Sequence, residues 1–357
     1  MVPKNPPMRN NWILIFLLVA LLYYPLAGSA QEKTARYGFI IDQDLLGETF
    51  GLKNSNEDRN YTMGLGLFAT RSKWAEAKLF RPLEYLSNAL SFGLAEKWFD
   101  ADRADRMQSV TLNLGMTGFT PRYLGDNITD SLYYMVQDRP FASLLFLSVK
   151  YQTSSRQKVH TSQIVFGMMG LKVAQEVQSH IHEKHWLGST REIPYGWKYQ
   201  VGQGGKFTML YSDRADVLLS AGSYKNSRKR ELNTQFIASR EYRIGYYTDV
   251  SAGMAMRLGL LDPDNWAAFD TYQLSHASSK KSMEAAPVKQ ERKLSGELFL
   301  WASVKPHVYL YNQFLQSRDT ELDYDFKVKP LVVDAQVGVG LTIPNAQKNF
   351  AANLLVY

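Results

Sequence analysis

Apolar and polar side chains alternate along several stretches of this chain. Gln108–Met116 sets Val110, Leu112, Leu114 and Met116 against Thr111, Asn113 and Gly115. Ser143–Tyr151 sets Leu145, Leu147, Val149 and Tyr151 opposite Leu144, Phe146, Ser148 and Lys150. Asp249–Leu258 opposes Val250, Ala252, Met254, Met256 and Leu258 to Asp249, Ser251, Gly253, Ala255 and Arg257. Leu331–Ile343 repeats the pattern, with Asp334, Gln336, Gly338, Gly340 and Thr342 on its polar side. A period of two predicts strands, because successive side chains point to opposite faces. A different spacing runs through Leu171–Trp186, where Val173, Val177 and Ile181 recur four apart and predict a helix.

Strands of nine or ten residues suit a soluble sandwich or an outer-membrane barrel. A sandwich hides its apolar face against a second sheet and shows the polar face to water. A barrel turns the apolar face to lipid and fills its lumen with the polar one. The polar faces here hold Gly, Ser, Thr, Asn and Gln rather than Lys and Glu, which suits a crowded interior. Tyr and Trp number 21 and 7, enough for aromatic girdles. The expected fold is all-β, an antiparallel transmembrane barrel, and lipid requires such a sheet to close on itself.

The start of the chain supports export. Lys4 and Arg9 precede the apolar run Ile13–Leu22, Pro25 breaks it, and Gly28-Ser29-Ala30 follows. This is the pattern of a signal peptide cleaved after Ala30, with a retained anchor as the alternative. Beyond it no stretch of about 18 apolar residues predicts a helical span. The 357 residues carry a formal +7, and removing Lys4 and Arg9 leaves 39 basic residues against 34 acidic ones, +5. Such a balance suits an anionic partner. Cys is absent, which excludes disulfides, thiolate zinc and a cysteine nucleophile.

If the first strand, Arg36–Asp44, rises from the periplasm, the segments Leu45–Asn60, Gly118–Arg139 and Gly170–Lys206 lie outside. Alternation from Tyr61 turns Met63, Leu65, Leu67 and Ala69 one way and Thr62, Gly64 and Gly66 into the lumen. On the predicted helix Gln178 and His182 stand one turn apart, with His180 and His185 nearby. A solvated helix face and adventitious metal binding are open readings of this cluster; a general base beside an amide is a third. No Gly-x-Ser-x-Gly elbow, His-Glu-x-x-His pair or phosphate-binding loop is present.

Asp58-Arg59-Asn60-Tyr61-Thr62-Met63-Gly64, Asp138-Arg139-Pro140-Phe141-Ala142, Gln178-x-x-x-His182 and Gly196-Trp197-x-x-Gln200 occur in that order. This set resembles the LpxR-like outer-membrane lipid A deacylases, from about Tyr37 to Ile343. The resemblance implies a barrel of about twelve strands with a Ca2+-dependent site at its outer rim, in the outer membrane of a Gram-negative bacterium. It implies hydrolysis of the ester that holds the 3'-linked acyloxyacyl group of lipid A. It makes His182 the base that activates water, with Gln178 and Thr62 as its companions. The family's metal-site Asn-Asp pair is altered here to Asp42-Gln43-Asp44 and is matched to Gln43-Asp44, with Asp42-Gln43 as the other register. A carboxylate with amide and backbone oxygens suits calcium.

Lys53, Arg59, Arg122 and Arg139 are candidates for the lipid A phosphates, although an ordinary solvated charge is the commoner reading of each. The lipopolysaccharide of the outer leaflet is the expected partner, with no nucleic acid and no second subunit. Trp74–Arg106 is longer than a periplasmic turn and contains an amphipathic helix, Leu83–Trp98, suited to the inner leaflet. Ala215–Arg243 is also in excess, and Asn345–Tyr357 leaves room for one strand where the family pattern has two. An outer-membrane phospholipase and a catalytically silent barrel, structural or a pore, are the competing functions.

Overall fold

A computed structural model describes residues 36–42, 63–90, 107–121, 127–155, 157–183, 195–225, 231–261, 266, 297–317, 329–343 and 350–356. Eleven strands are found among them. They are β1 (Arg36–Asp42), β2 (Met63–Arg71), β3 (Met107–Phe119), β4 (Ala142–Ser154), β5 (Lys158–Met169) and β6 (Lys206–Lys225), followed by β7 (Glu231–Gly245), β8 (Tyr247–Leu260), β9 (Glu297–Asn312), β10 (Leu331–Ile343) and β11 (Phe350–Val356). They form one sheet in which each strand pairs antiparallel with its neighbours in sequence; β1 and β11 are its two edges, so the sheet is not closed among the described residues, and eleven strands stand where the resemblance implied about twelve. No helix of the described residues is long and apolar enough to cross a membrane, so any crossing belongs to the strands.

The register runs without slips from β1 to β6, so one face can be followed from strand to strand. Along that face Leu67, Leu114, Leu147, Phe166 and Met209 lie in one row. Leu67, Phe166 and Met209 are exposed, as are Val304, Val308, Val333 and Val337 further round the sheet. The opposite face is polar and buried, with Thr70, Thr111, Ser148, Lys150, Gln163, Ser212, Gln235 and Gln336. A soluble two-layer body would invert this arrangement. Apolar exposure with polar burial is the barrel pattern, with lipid as the missing solvent.

The lumenal face of β7–β10 is lined by paired charges. Arg243 donates from Nε to Asp249 Oδ1 at 2.6 Å and from Nη2 to Oδ2 at 3.0 Å. His307 sets Nδ1 2.9 Å from Asp249 Oδ2 and Nε2 3.1 Å from Asp334 Oδ2. Lys305 pairs with Glu241, and Arg257 donates to Gln235 Oε1 at 3.0 Å while covering the Phe299 ring at 4.2 Å. Buried charge is costly unless paired and hydrogen-bonded, and here it is both. Phe299 in turn fills the space above Gly340, where a Cβ would lie 2.2 Å from its Cζ.

Each strand expected from alternation is present. The predicted helix 171–186 is observed as Val173–Glu183, its last residues lying outside the described ones. The expected Leu83–Trp98 helix is observed over Arg81–Leu90, with 91–98 outside the described residues. The Ala215–Arg243 excess adds no strand: it lengthens β6 to 20 residues and β7 to 15, paired as far as Lys225↔Glu231. Connections 155–157, 226–230 and 344–349 share one end of the sheet with the longer 72–106 and 261–296, the periplasmic end when β1 rises from the periplasm. The opposite end is the outer rim.

Candidate functional site

At the outer rim two helices, α3 (Ile128–Gln137) and α4 (Val173–Glu183), meet a 3-10 turn over Tyr195–Tyr199. (Two earlier helices, α1 Lys73–Glu76 and α2 Arg81–Leu90, belong to the other end.) Asn127 starts α3 by accepting the Thr129 and Asp130 backbone N–H groups at 2.9 and 3.1 Å, orphan donors that need such a cap. Before α4, Gly170 adopts φ +73°, and a Cβ there would lie 1.9 Å from the Gly202 carbonyl oxygen. Only glycine fits that corner.

These elements close over one apolar cluster. Met116, Met135, Phe141, Ala174 and Trp197 are buried together, with Leu132, Leu145, Val173, Val177 and Tyr199 packed around them. Met116 and Leu145 are directly paired and belong to the lipid-facing side of the wall. Helix α4 thus sits at the rim on the side that meets the leaflet. The Phe141 and Trp197 rings meet edge to face at 5.0 Å. Gly196 lets them do so: a Cβ there would come 2.1 Å from Phe141 Cε2. Gln200 ties the turn down, accepting from Ser143 Oγ at 2.8 Å, while Val201 N–H donates to the Phe141 carbonyl at 2.9 Å. Three segments noticed separately in the sequence, 138–142, 178–182 and 196–200, are therefore one packed unit.

Within it Gln178 is 1% exposed. Trp197 Nε1 donates to its Oε1 at 2.6 Å. An indole N–H only donates, so the bond fixes which end of the amide is oxygen. The Nε2 group is left buried with no hydrogen-bond partner among the described residues. A buried donor without an acceptor costs stability, about 1–3 kcal/mol, and is expected where a ligand completes it. Sequence reading missed the part of Trp197; its motif was visible, but a bond across 19 residues was not.

His182 follows Gln178 by one turn of α4; of its side chain nothing is described. Gln43, Asp44, Arg59 and Thr62 lie outside the described residues, as do Lys53, Arg122 and His185. The β1–β2 register ends at Asp42↔Gly64, with Gly64 buried and Leu65 exposed. Among the described residues no group of three or more His, Cys, Asp or Glu is placed to hold a metal ion. Arg139 is buried, its guanidinium 4.7 Å over the Phe119 ring. Burial pushes its pKa down to about 10, against the opposing pull of Tyr247 and Asp138. Below the rim Phe119, Tyr246, Tyr247 and Phe314 make an aromatic floor, with Phe119 and Phe314 at 4.9 Å and Tyr247 and Phe314 at 5.3 Å.

An antiparallel sheet apolar and exposed on one face, polar and buried on the other, is the wall of an outer-membrane β-barrel. The family model described as "Outer membrane protein LpxR" matches residues 14–355, and the chain belongs to that family. Among solved structures, LpxR from Salmonella typhimurium is similar over 90% of this chain and 92% of its own, at TM-score 0.55 and 14% identity, a likeness of fold. Comparison with curated protein sequences gives no match. The protein is an outer-membrane protein of a Gram-negative bacterium.

Proposed function

We propose that the protein is a lipid A deacylase that hydrolyses the ester of the 3'-linked acyloxyacyl group. The observation that carries this reading is the seat of α4: on the leaflet side of the rim, over Met116 and Leu145, with the Gln178 amide pinned by Trp197. Lipid A presents its acyl esters at that depth, where head group meets hydrocarbon. A water-soluble substrate would give no reason to build the site on the lipid face.

In this reading His182 takes a proton from water, whose oxygen attacks the ester carbonyl carbon. The ester C–O bond then breaks, the proton passes to the sugar oxygen, and a fatty acid and a free hydroxyl remain. Gln178 Nε2 donates to the carbonyl oxygen as charge gathers there, and Thr62, on the lumen side of the rim by alternation, is the residue the resemblance assigns to orienting the water. Gln43 and Asp44 are the oxygen donors that would hold Ca2+, which when bound polarises the carbonyl. Arg59 and Arg139 are the residues proposed to meet the substrate phosphates, Arg139 from its seat over the Phe119 ring.

Mass spectrometry of lipid A from cells expressing the protein tests this. Loss of an acyloxyacyl mass, dependent on Ca2+ and abolished in His182→Ala, is the expected result. Unchanged lipid A with altered phospholipids would overturn it in favour of a phospholipase, and no change in either in favour of a silent barrel.

A further inference from the structure

The connection between β2 and β3 is not a turn. After Arg71 the chain forms α1 and α2, and α2 runs across the sheet. Glu84 accepts from Gln108 Nε2 of β3 at 3.1 Å, Ser162 Oγ of β5 donates to Ser87 Oγ at 2.8 Å, and Tyr242 Oη of β7 donates to the Leu90 carbonyl at 2.7 Å. Each strand residue shares its face with the lipid wall: Gln108 with Leu112 and Leu114, Ser162 with Phe166 and Met168, Tyr242 with Ile244. The helices therefore lie on the lipid-facing side of the sheet.

The wall beneath them is not fit for hydrocarbon. His160 Nε2 lies 2.8 Å from Asp213 Oδ2, which also accepts from Ser162 Oγ at 3.2 Å, and all three residues are buried on the outer face. Bare in a bilayer core, these groups would be prohibitively costly. Ser87 covers Ser162, and Trp74, Phe80 and Leu83 pack on Val110 and Tyr151 beside it. The side of α1 and α2 turned away from the wall is mixed. Leu79 and Tyr85 are 78% and 77% exposed, and Lys78 and Arg81 are exposed beside them. Apolar tips between cations, on helices that start against the periplasmic ends of β3 and β5 and rise toward Tyr242 of β7, match the boundary layer of a phospholipid leaflet.

We infer that residues 73–90 form a collar seated in the head-group layer of the periplasmic leaflet. Leu79 and Tyr85 dip toward the acyl chains, and Lys78 and Arg81 meet phospholipid phosphates. This is a second lipid contact, at the end opposite the proposed catalytic site and independent of it.

Because the chain has no cysteine, single labels are clean. The full protein, refolded into vesicles containing phosphatidylglycerol, carries an environment-sensitive fluorophore at Leu79→Cys or Tyr85→Cys. Met254→Cys on the bare wall and Gln157→Cys in a short periplasmic turn are the references. Shallow spin-labelled phospholipids are expected to quench the Leu79 and Tyr85 labels several-fold more than deep ones, with the order reversed at Met254. Labels that behave like Gln157, in water, or like Met254, deep in the core, overturn the assignment. The Lys78→Glu/Arg81→Glu pair should lower shallow quenching in phosphatidylglycerol vesicles but not in purely zwitterionic ones. Equal quenching in both overturns the phosphate contact.

Discussion

At the scale of single residues, the Trp197–Gln178 bond separates holding from reacting. Trp197→Phe keeps the ring against Phe141 and removes only the donor. The amide is then free to turn, and lipid A deacylation is expected to fall about tenfold, or ~1.4 kcal/mol, with the folded barrel intact by heat-shifted electrophoresis. Gln178→Ala removes the donating group itself and should cost about 10²-fold or more in the same assay. If the two variants were equally impaired, Trp197 would be doing something other than fixing the amide.

At the scale of elements, glycine corners decide whether α4 can be where it is. Gly170→Ala drives a Cβ into the Gly202 carbonyl at a positive φ, whereas Gly204→Ala at φ +86° meets nothing within 4 Å. The first should destabilise by about 1–3 kcal/mol or more and the second by about 1, read as urea midpoints. Such contrasts are invisible in sequence, where both are glycines in a loop. The strands were legible because alternation depends only on neighbours: Leu331–Ile343 is found as expected. The helix carrying Gln178 and His182 was legible from Val173 and Val177. The collar was half legible: its amphipathic stretch showed, but not its place across Gln108, Ser162 and Tyr242, which depends on contacts 24 to 152 residues apart. What the Ala215–Arg243 excess builds was not legible for a related reason, since alternation marks a strand without saying how far it continues.

At the scale of the whole molecule, the lumen is held by paired charges. Arg243→Met would leave Asp249 with His307 as its remaining described partner, and a cost of about 3–5 kcal/mol is expected in the same urea titration. A planar bilayer with the wild-type protein is expected to show little steady ionic conductance, because bulky and paired side chains, Phe299, Arg257 and the Arg243–Asp249–His307 web, line the lumenal face of β7–β10. A membrane barrel is a post standing in a two-dimensional fluid. Whatever it works on must slide up to it and drift away sideways, so stiffening the surrounding leaflet should slow its turnover even when every side chain is in place.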